Sequence, residues 1–184
     1  MKKHAPNILT IFRVLLVPVF IWLTITNHPF YWATAVFIVA SITDYFDGLL
    51  ARKFKVISNF GKIMDPLADK FLIISALFVL SLKLDYIHLS IVIIIIFREI
   101  IITILRGYYA RKNIFIAANI WGKLKTIFQL TGIIFCLLFT TAKNYISFPR
   151  NIENSINFSI QAFFWIVAII TILSGLNYFI TKQK

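Results

Sequence analysis

The chain has 184 residues, of which 60% are hydrophobic, and 19 Lys and Arg stand against 7 Asp and Glu for a formal net charge of +12. With a mean hydropathy of +0.86, this composition excludes a soluble globular domain and describes an integral membrane protein built from helices. The charge does not point to nucleic acid, because the basic residues collect at the ends of apolar segments, where topology signals lie and where anionic headgroups and phosphorylated substrates are attracted.

Six apolar segments succeed one another, at about 8–27, 30–51, 63–83, 86–110, 121–142 and 158–180. Each is near the ~20 residues a helix needs to cross the hydrocarbon. The connections are short and no linker divides them, so the reading is a single membrane domain over 1–184. Met1-Lys2-Lys3 before an apolar run resembles a secretory signal. Arg13 interrupts that run and no small-x-small cleavage site comes after it, so the segment reads as a retained first helix.

The second segment ends in Asp44-Tyr-Phe-Asp47-Gly48-Leu-Leu-Ala51-Arg52, and the third opens with Gly61-Lys-Ile-Met-Asp65-Pro-Leu-Ala-Asp69. The fourth holds Arg98, Glu99 and Arg106. The fifth begins with Lys123 and Lys125 and carries the lone Cys136 in an apolar stretch, so there is no disulfide framework. The sixth shows hydrophobicity alone. His4, His28 and His88 are scattered at segment ends and do not read as metal ligands.

Six spans place both termini on one side. That side carries twelve basic residues: Lys2, Lys3, Arg52, Lys53, Lys55, Lys62, Arg111, Lys112, Lys123, Lys125, Lys182 and Lys184. The other carries three, Lys83, Lys143 and Arg150. The bias puts the termini and the loop after Arg52 in the cytoplasm. Arg13, Lys70, Arg98 and Arg106 remain within or at the edges of spans and need partners or a polar cavity.

Four of the seven acidic residues lie between 44 and 69. At about 2.5–3.5 kcal/mol each on an insertion scale, four carboxylates cost about 10–14 kcal/mol, comparable to the net stability of a domain. Residues three and four apart share a helix face. Asp44, Asp47, Gly48, Ala51 and Arg52 therefore form one stripe, and Gly61, Asp65 and Asp69 another on the next, antiparallel helix. Two carboxylates from each suit a pair of hard divalent cations with oxygen ligands, about 3.5–4 Å apart in phosphoryl-transfer sites. Gly48, Ala51 and Gly61 leave room for a bulky group near the backbone, and Arg52 is placed to pair with a phosphate. Asp44 is about 12 Å along the axis from Arg52, so the site opens to the cytoplasm near the lipid headgroups. Ion pairing alone would not require so many carboxylates on matching faces beside small residues.

The pattern D-x2-D-G-x2-A-R-x8-G-x3-D-x3-D resembles, at every position, the signature of the CDP-alcohol phosphotransferases. Pro6-Asn7-Ile-Leu-Thr10-Ile-Phe-Arg13, Arg98-Glu99-Ile-Ile-Ile-Thr-Ile-Leu-Arg106 and Gly122-Lys123-Leu-Lys125-Thr126 are similar to stretches of the bacterial phosphatidylglycerophosphate synthases within that family. The resemblance implies an all-α integral membrane protein, with six transmembrane helices around a cytoplasm-facing two-metal site, and a homodimer in the cytoplasmic membrane. It implies that Asp44, Asp47 and Asp65 ligate Mg2+ or Mn2+. Asp69 would contact metal and act as general base. Gly48, Ala51 and Arg52 would bind the CDP part of CDP-diacylglycerol, with Gly61 close by and Thr10 or Asn7 at the nucleotide end.

The expected reaction moves a phosphatidyl group from CDP-diacylglycerol to an alcohol and releases CMP. Arg106, Lys123 and Lys125 at the cytoplasmic ends of the fourth and fifth segments favour a phosphorylated acceptor, glycerol 3-phosphate. The two lysines would otherwise be anchors that snorkel to headgroups. Arg98 is a deeper candidate for the same phosphate. It and Glu99 would otherwise form a structural ion pair, and Glu99 and Arg106 share a face. Phosphatidylglycerol, inositol phosphate or serine as acceptor would use the same chemistry. From other classes, a divalent-cation transporter would use the carboxylates as a transit site, and a non-catalytic scaffold would not need them.

Overall fold

The computed structural model describes residues 5–26, 28–54, 59–112 and 120–180. Among the described residues there are six α-helices and no strand: α1 (Ala5–Ile25), α2 (Phe30–Phe54), α3 (Asn59–Phe78), α4 (Leu89–Arg111), α5 (Ile120–Lys143) and α6 (Arg150–Ile180). A five-residue π turn, Val79–Lys83, continues α3. The six expected segments each fall on one helix, but several helices run past the apolar run that marks them.

The longest extension is at α6, which starts at Arg150 rather than 158. The Pro149 carbonyl accepts the backbone N–H groups of Ile152 and Glu153 at 2.9 and 3.1 Å. Glu153 sits in the first turn, where a carboxylate complements the helix dipole. After the π turn the chain reverses through Asp85, whose φ of 50° lies in the left-handed region that Asp tolerates. The Tyr86 N–H donates to the Leu80 carbonyl at 2.9 Å and closes the turn.

The chain forms two compact units. The first is Met1–Val79 with Leu137–Ser147, the end of α5. Here α1, α2 and α3 pack on one another. Ala33, Ala40, Ala68 and Ala76 are buried and let the backbones come close, while Phe20 and Phe37 fill the remaining volume with rings 5.5 Å apart. The Thr34 hydroxyl lies 2.9 Å from that of Thr141 and 3.3 Å from the Leu137 carbonyl, tying α2 to the end of α5.

The second unit is Leu80–Cys136 with Phe148–Lys184. In it α4 packs on α6, and Ile91, Ile95 and Ile102 of the one helix and Ile160, Phe164 and Val167 of the other are buried. Gly132 on α5 faces the aromatic side of α6. A Cβ there would lie 2.7 Å from Cε1 of Phe163, so hydrogen at this position is what permits the approach. Phe128 meets the Phe163 ring edge-on with centroids 6.3 Å apart.

Large apolar side chains stand outward on all six helices, among them Leu15, Trp32, Phe71, Phe97, Phe135 and Phe158. Such a surface suits lipid and not water. The stretches Leu124–Lys143 and Arg150–Gly175 are long and apolar enough to cross a bilayer. Many helix hydroxyls are satisfied locally, as apolar surroundings favour. Ser41 donates to the Phe37 carbonyl, Thr43 to Ala40, Ser75 to Leu72 and Thr103 to Glu99.

Candidate active site

The acidic segment spans the end of α2 and the start of α3, sequential helices that pack on each other and on α1. Asp44 and Asp47 lie on α2, and Asp65 and Asp69 on α3. The best-defined contact comes from α1. Arg13 is wholly buried, and its Nη1 lies 2.7 Å from Oδ1 of Asp44. Burying a guanidinium without a counter-charge is expensive, so Arg13 finds here the partner that its place within an apolar helix requires. The Asp44 side chain itself remains 43% exposed. It is therefore anchored from behind by one oxygen and open to approach.

Thr10, one turn before Arg13 on the same face of α1, is also buried. Asp69 is half-buried. The side chains of Asn7, Asp47, Gly48, Ala51, Arg52, Gly61 and Asp65 lie outside the described residues, although each position falls within a helix. Among the described residues no three His, Cys, Asp or Glu side chains gather into a metal site. Two of the four expected ligands are not among those residues. The expected donor set, carboxylates alone, is of the kind that suits a hard cation, and one of them, Asp44, is held by Arg13 and exposed on one side.

The second unit carries a polar cluster in apolar surroundings. Arg98 on α4 donates through Nε to the Thr171 carbonyl at 3.1 Å and through Nη2 to Oγ of Ser174 at 2.8 Å, both on α6. Its Nη1 lies 3.3 Å from Oε1 of Glu99. Lys125 on α5, itself buried, pairs with the same Glu99 oxygen. The Arg98–Glu99 ion pair expected as one of two readings is thus present, and Lys125 joins it. Arg106 and Lys123 have side chains outside the described residues.

Nothing in the sequence motifs singles out Thr171 or Ser174. Uncharged hydroxyls in an apolar helix leave little trace. The usable signal is the spacing Thr171-x2-Ser174-Gly175, which puts small polar groups on one face of α6.

The family model described as CDP-alcohol phosphatidyltransferase matches residues 3–173. The chain belongs to this family. The transferase is 36% identical over 187 residues to a CDP-diacylglycerol--glycerol-3-phosphate 3-phosphatidyltransferase of Mycoplasma pneumoniae, covering 90% of this chain and 78% of the relative. It is 35% identical over 192 residues to a protein of the same name from Bacillus subtilis, covering 96% and 93%. A Haemophilus influenzae protein, again so named, is 41% identical over 139 residues, covering 72% and 75%. Membership makes the chain an enzyme of phosphatidyl transfer, and the transporter and scaffold readings of its carboxylates fall away. Its apolar helices agree with a membrane setting for the transferase.

Proposed function

We propose that this transferase moves the phosphatidyl group of CDP-diacylglycerol onto glycerol 3-phosphate, giving phosphatidylglycerophosphate and CMP. The observation that carries the reading is the complete acidic motif on two packed helices, with Asp44 held in place by a buried Arg13. The choice of acceptor is supported by the names of the relatives and by the basic residues of α4 and α5.

Asp44, Asp47, Asp65 and Asp69 hold two divalent cations, Mg2+ or Mn2+. When bound, these cations neutralise the pyrophosphate and the charge that gathers on departing CMP. Gly48, Ala51, Arg52 and Gly61 receive the CDP portion, with Thr10 and Asn7 at its nucleotide end. Asp69 takes the proton from the acceptor hydroxyl. The freed oxygen bonds to the phosphorus that carries diacylglycerol, the bond from that phosphorus to the bridging oxygen breaks, and CMP leaves with that oxygen. Arg106, Lys123 and Lys125 hold the phosphate of the acceptor, supported by Arg98.

In the same reading all six helices cross the cytoplasmic membrane, the termini and the site face the cytoplasm, and the enzyme is a homodimer. The test is an assay on detergent-purified protein with CDP-diacylglycerol and Mg2+. Glycerol 3-phosphate, inositol phosphate, serine and phosphatidylglycerol are offered separately while CMP and the lipid product are measured. CMP release with glycerol 3-phosphate alone is expected. Release with another acceptor instead would overturn the choice of acceptor and keep the chemistry.

A further inference from the structure

We propose that Ser174 of α6 and Glu99 of α4 are positioning residues that fix Lys125 for the phosphate of the acceptor, through Arg98. The inference rests on the reading of Lys125 as a ligand of that phosphate. A lysine is a compact charge on a flexible four-carbon stem, so on its own it does not define a place for an anion. In this unit its place is defined by a chain of contacts that begins two helices away.

The chain starts at the Thr171 carbonyl, which accepts Nε of Arg98 at 3.1 Å and the Ser174 hydroxyl at 2.9 Å. Having donated its proton there, Ser174 offers its oxygen to Nη2 of Arg98 at 2.8 Å. Gly175 lies beside the seat, where even a Cβ would sit at an ordinary contact distance of 3.4 Å from Cγ of Arg98. A guanidinium held at two nitrogens has a fixed plane. Its third nitrogen, Nη1, holds Oε1 of Glu99 at 3.3 Å. That same oxygen receives Nζ of Lys125, whose side chain is only 5% exposed. An ammonium carries three donors, so Lys125 can keep Glu99 and meet a phosphate oxygen together.

Positioning of this kind differs from mere cohesion between helices in what it moves. Steady-state kinetics of CMP release, with each substrate varied in turn, separate the two. Glu99→Gln is expected to raise the KM for glycerol 3-phosphate by about tenfold, as loss of a charged hydrogen bond would. The KM for CDP-diacylglycerol should stay within about twofold, inside the range of a neutral substitution. Ser174→Ala is expected to raise the former by roughly threefold, the effect of a neutral hydrogen bond. Ser174→Thr, which returns the hydroxyl, should restore it.

Because Ser174 acts through Glu99, the double variant should be no worse than Glu99→Gln alone. Additive effects, equal rises in both KM values, or a lowered melting temperature with unchanged KM values would overturn the proposal. If Glu99→Gln does not fold, the Ser174→Ala and Ser174→Thr pair decides by itself. A wild-type enzyme that releases CMP only with some other acceptor would remove the functional reading and this proposal with it. Unchanged KM values in a wild-type background that does use glycerol 3-phosphate would remove the proposal alone.

Discussion

Arg13 and Asp44 form one ion pair with two unequal ends. The guanidinium is wholly buried, whereas the carboxylate is 43% exposed. Removing either partner therefore has a different consequence. Asp44→Ala takes the carboxylate from a fully desolvated cation and is expected to cost about 3 kcal/mol, the lower end for a broken buried pair. Arg13→Met leaves a carboxylate that water can reach, and should cost about 1 kcal/mol, as for a half-exposed pair. Thermal unfolding in detergent with a chelator present would rank the two, and the reverse order would contradict the burial argument. Asp69 is tested by chemistry. Asp69→Asn keeps the shape but cannot take a proton, and a lost general base lowers turnover by about 10²–10⁴-fold. Binding of CDP-diacylglycerol by this variant should survive in substantial part. Wild-type-like CMP release would remove Asp69 from the role of base.

At the scale of elements, the α5–α6 contact turns on one missing methyl. Gly132→Ala would place a carbon 2.7 Å from the Phe163 ring and force the helices apart, at about 1–3 kcal/mol. Phe163→Leu in the same chain should recover part of that loss in a thermal melt. Such a contact is not legible in sequence, because a glycine within an apolar helix looks the same whatever faces it. The acidic segment stands out in sequence for the opposite reason: four carboxylates in a hydrophobic chain carry a cost that a site would explain. The helices themselves were legible as apolar runs, but their ends were not. Hydropathy marks the part of a helix that suits hydrocarbon, while the backbone stays helical beyond it wherever hydrogen bonds can be completed. This is why α6 reaches back to Arg150 through the polar residues Asn151, Glu153 and Asn154. The seat of Arg98 on α6 was hidden by chemistry that draws no attention, one carbonyl and one hydroxyl.

For the whole molecule, the proposed orientation, with twelve basic residues on the cytoplasmic side against three, can be read by labelling. The only cysteine, Cys136, is fully buried and should stay silent toward a membrane-impermeant maleimide. A cysteine at Tyr145, exposed between α5 and α6, should react on intact cells, and one at Lys112 only after the cells are opened. The opposite pattern would invert the proposed topology. The π turn at Val79–Lys83 is an α-helical turn widened by one residue, and each inserted residue rotates the remainder of a helix by about 100° about the axis. It stands at the far end of α3 from Asp65 and Asp69. Deleting one residue there would let the helix close into ordinary α form and shorten the adjoining turn, leaving the register of the carboxylates unchanged. A residue gained or lost there leaves the spacing of Asp44, Asp47, Asp65 and Asp69 along the chain as it is.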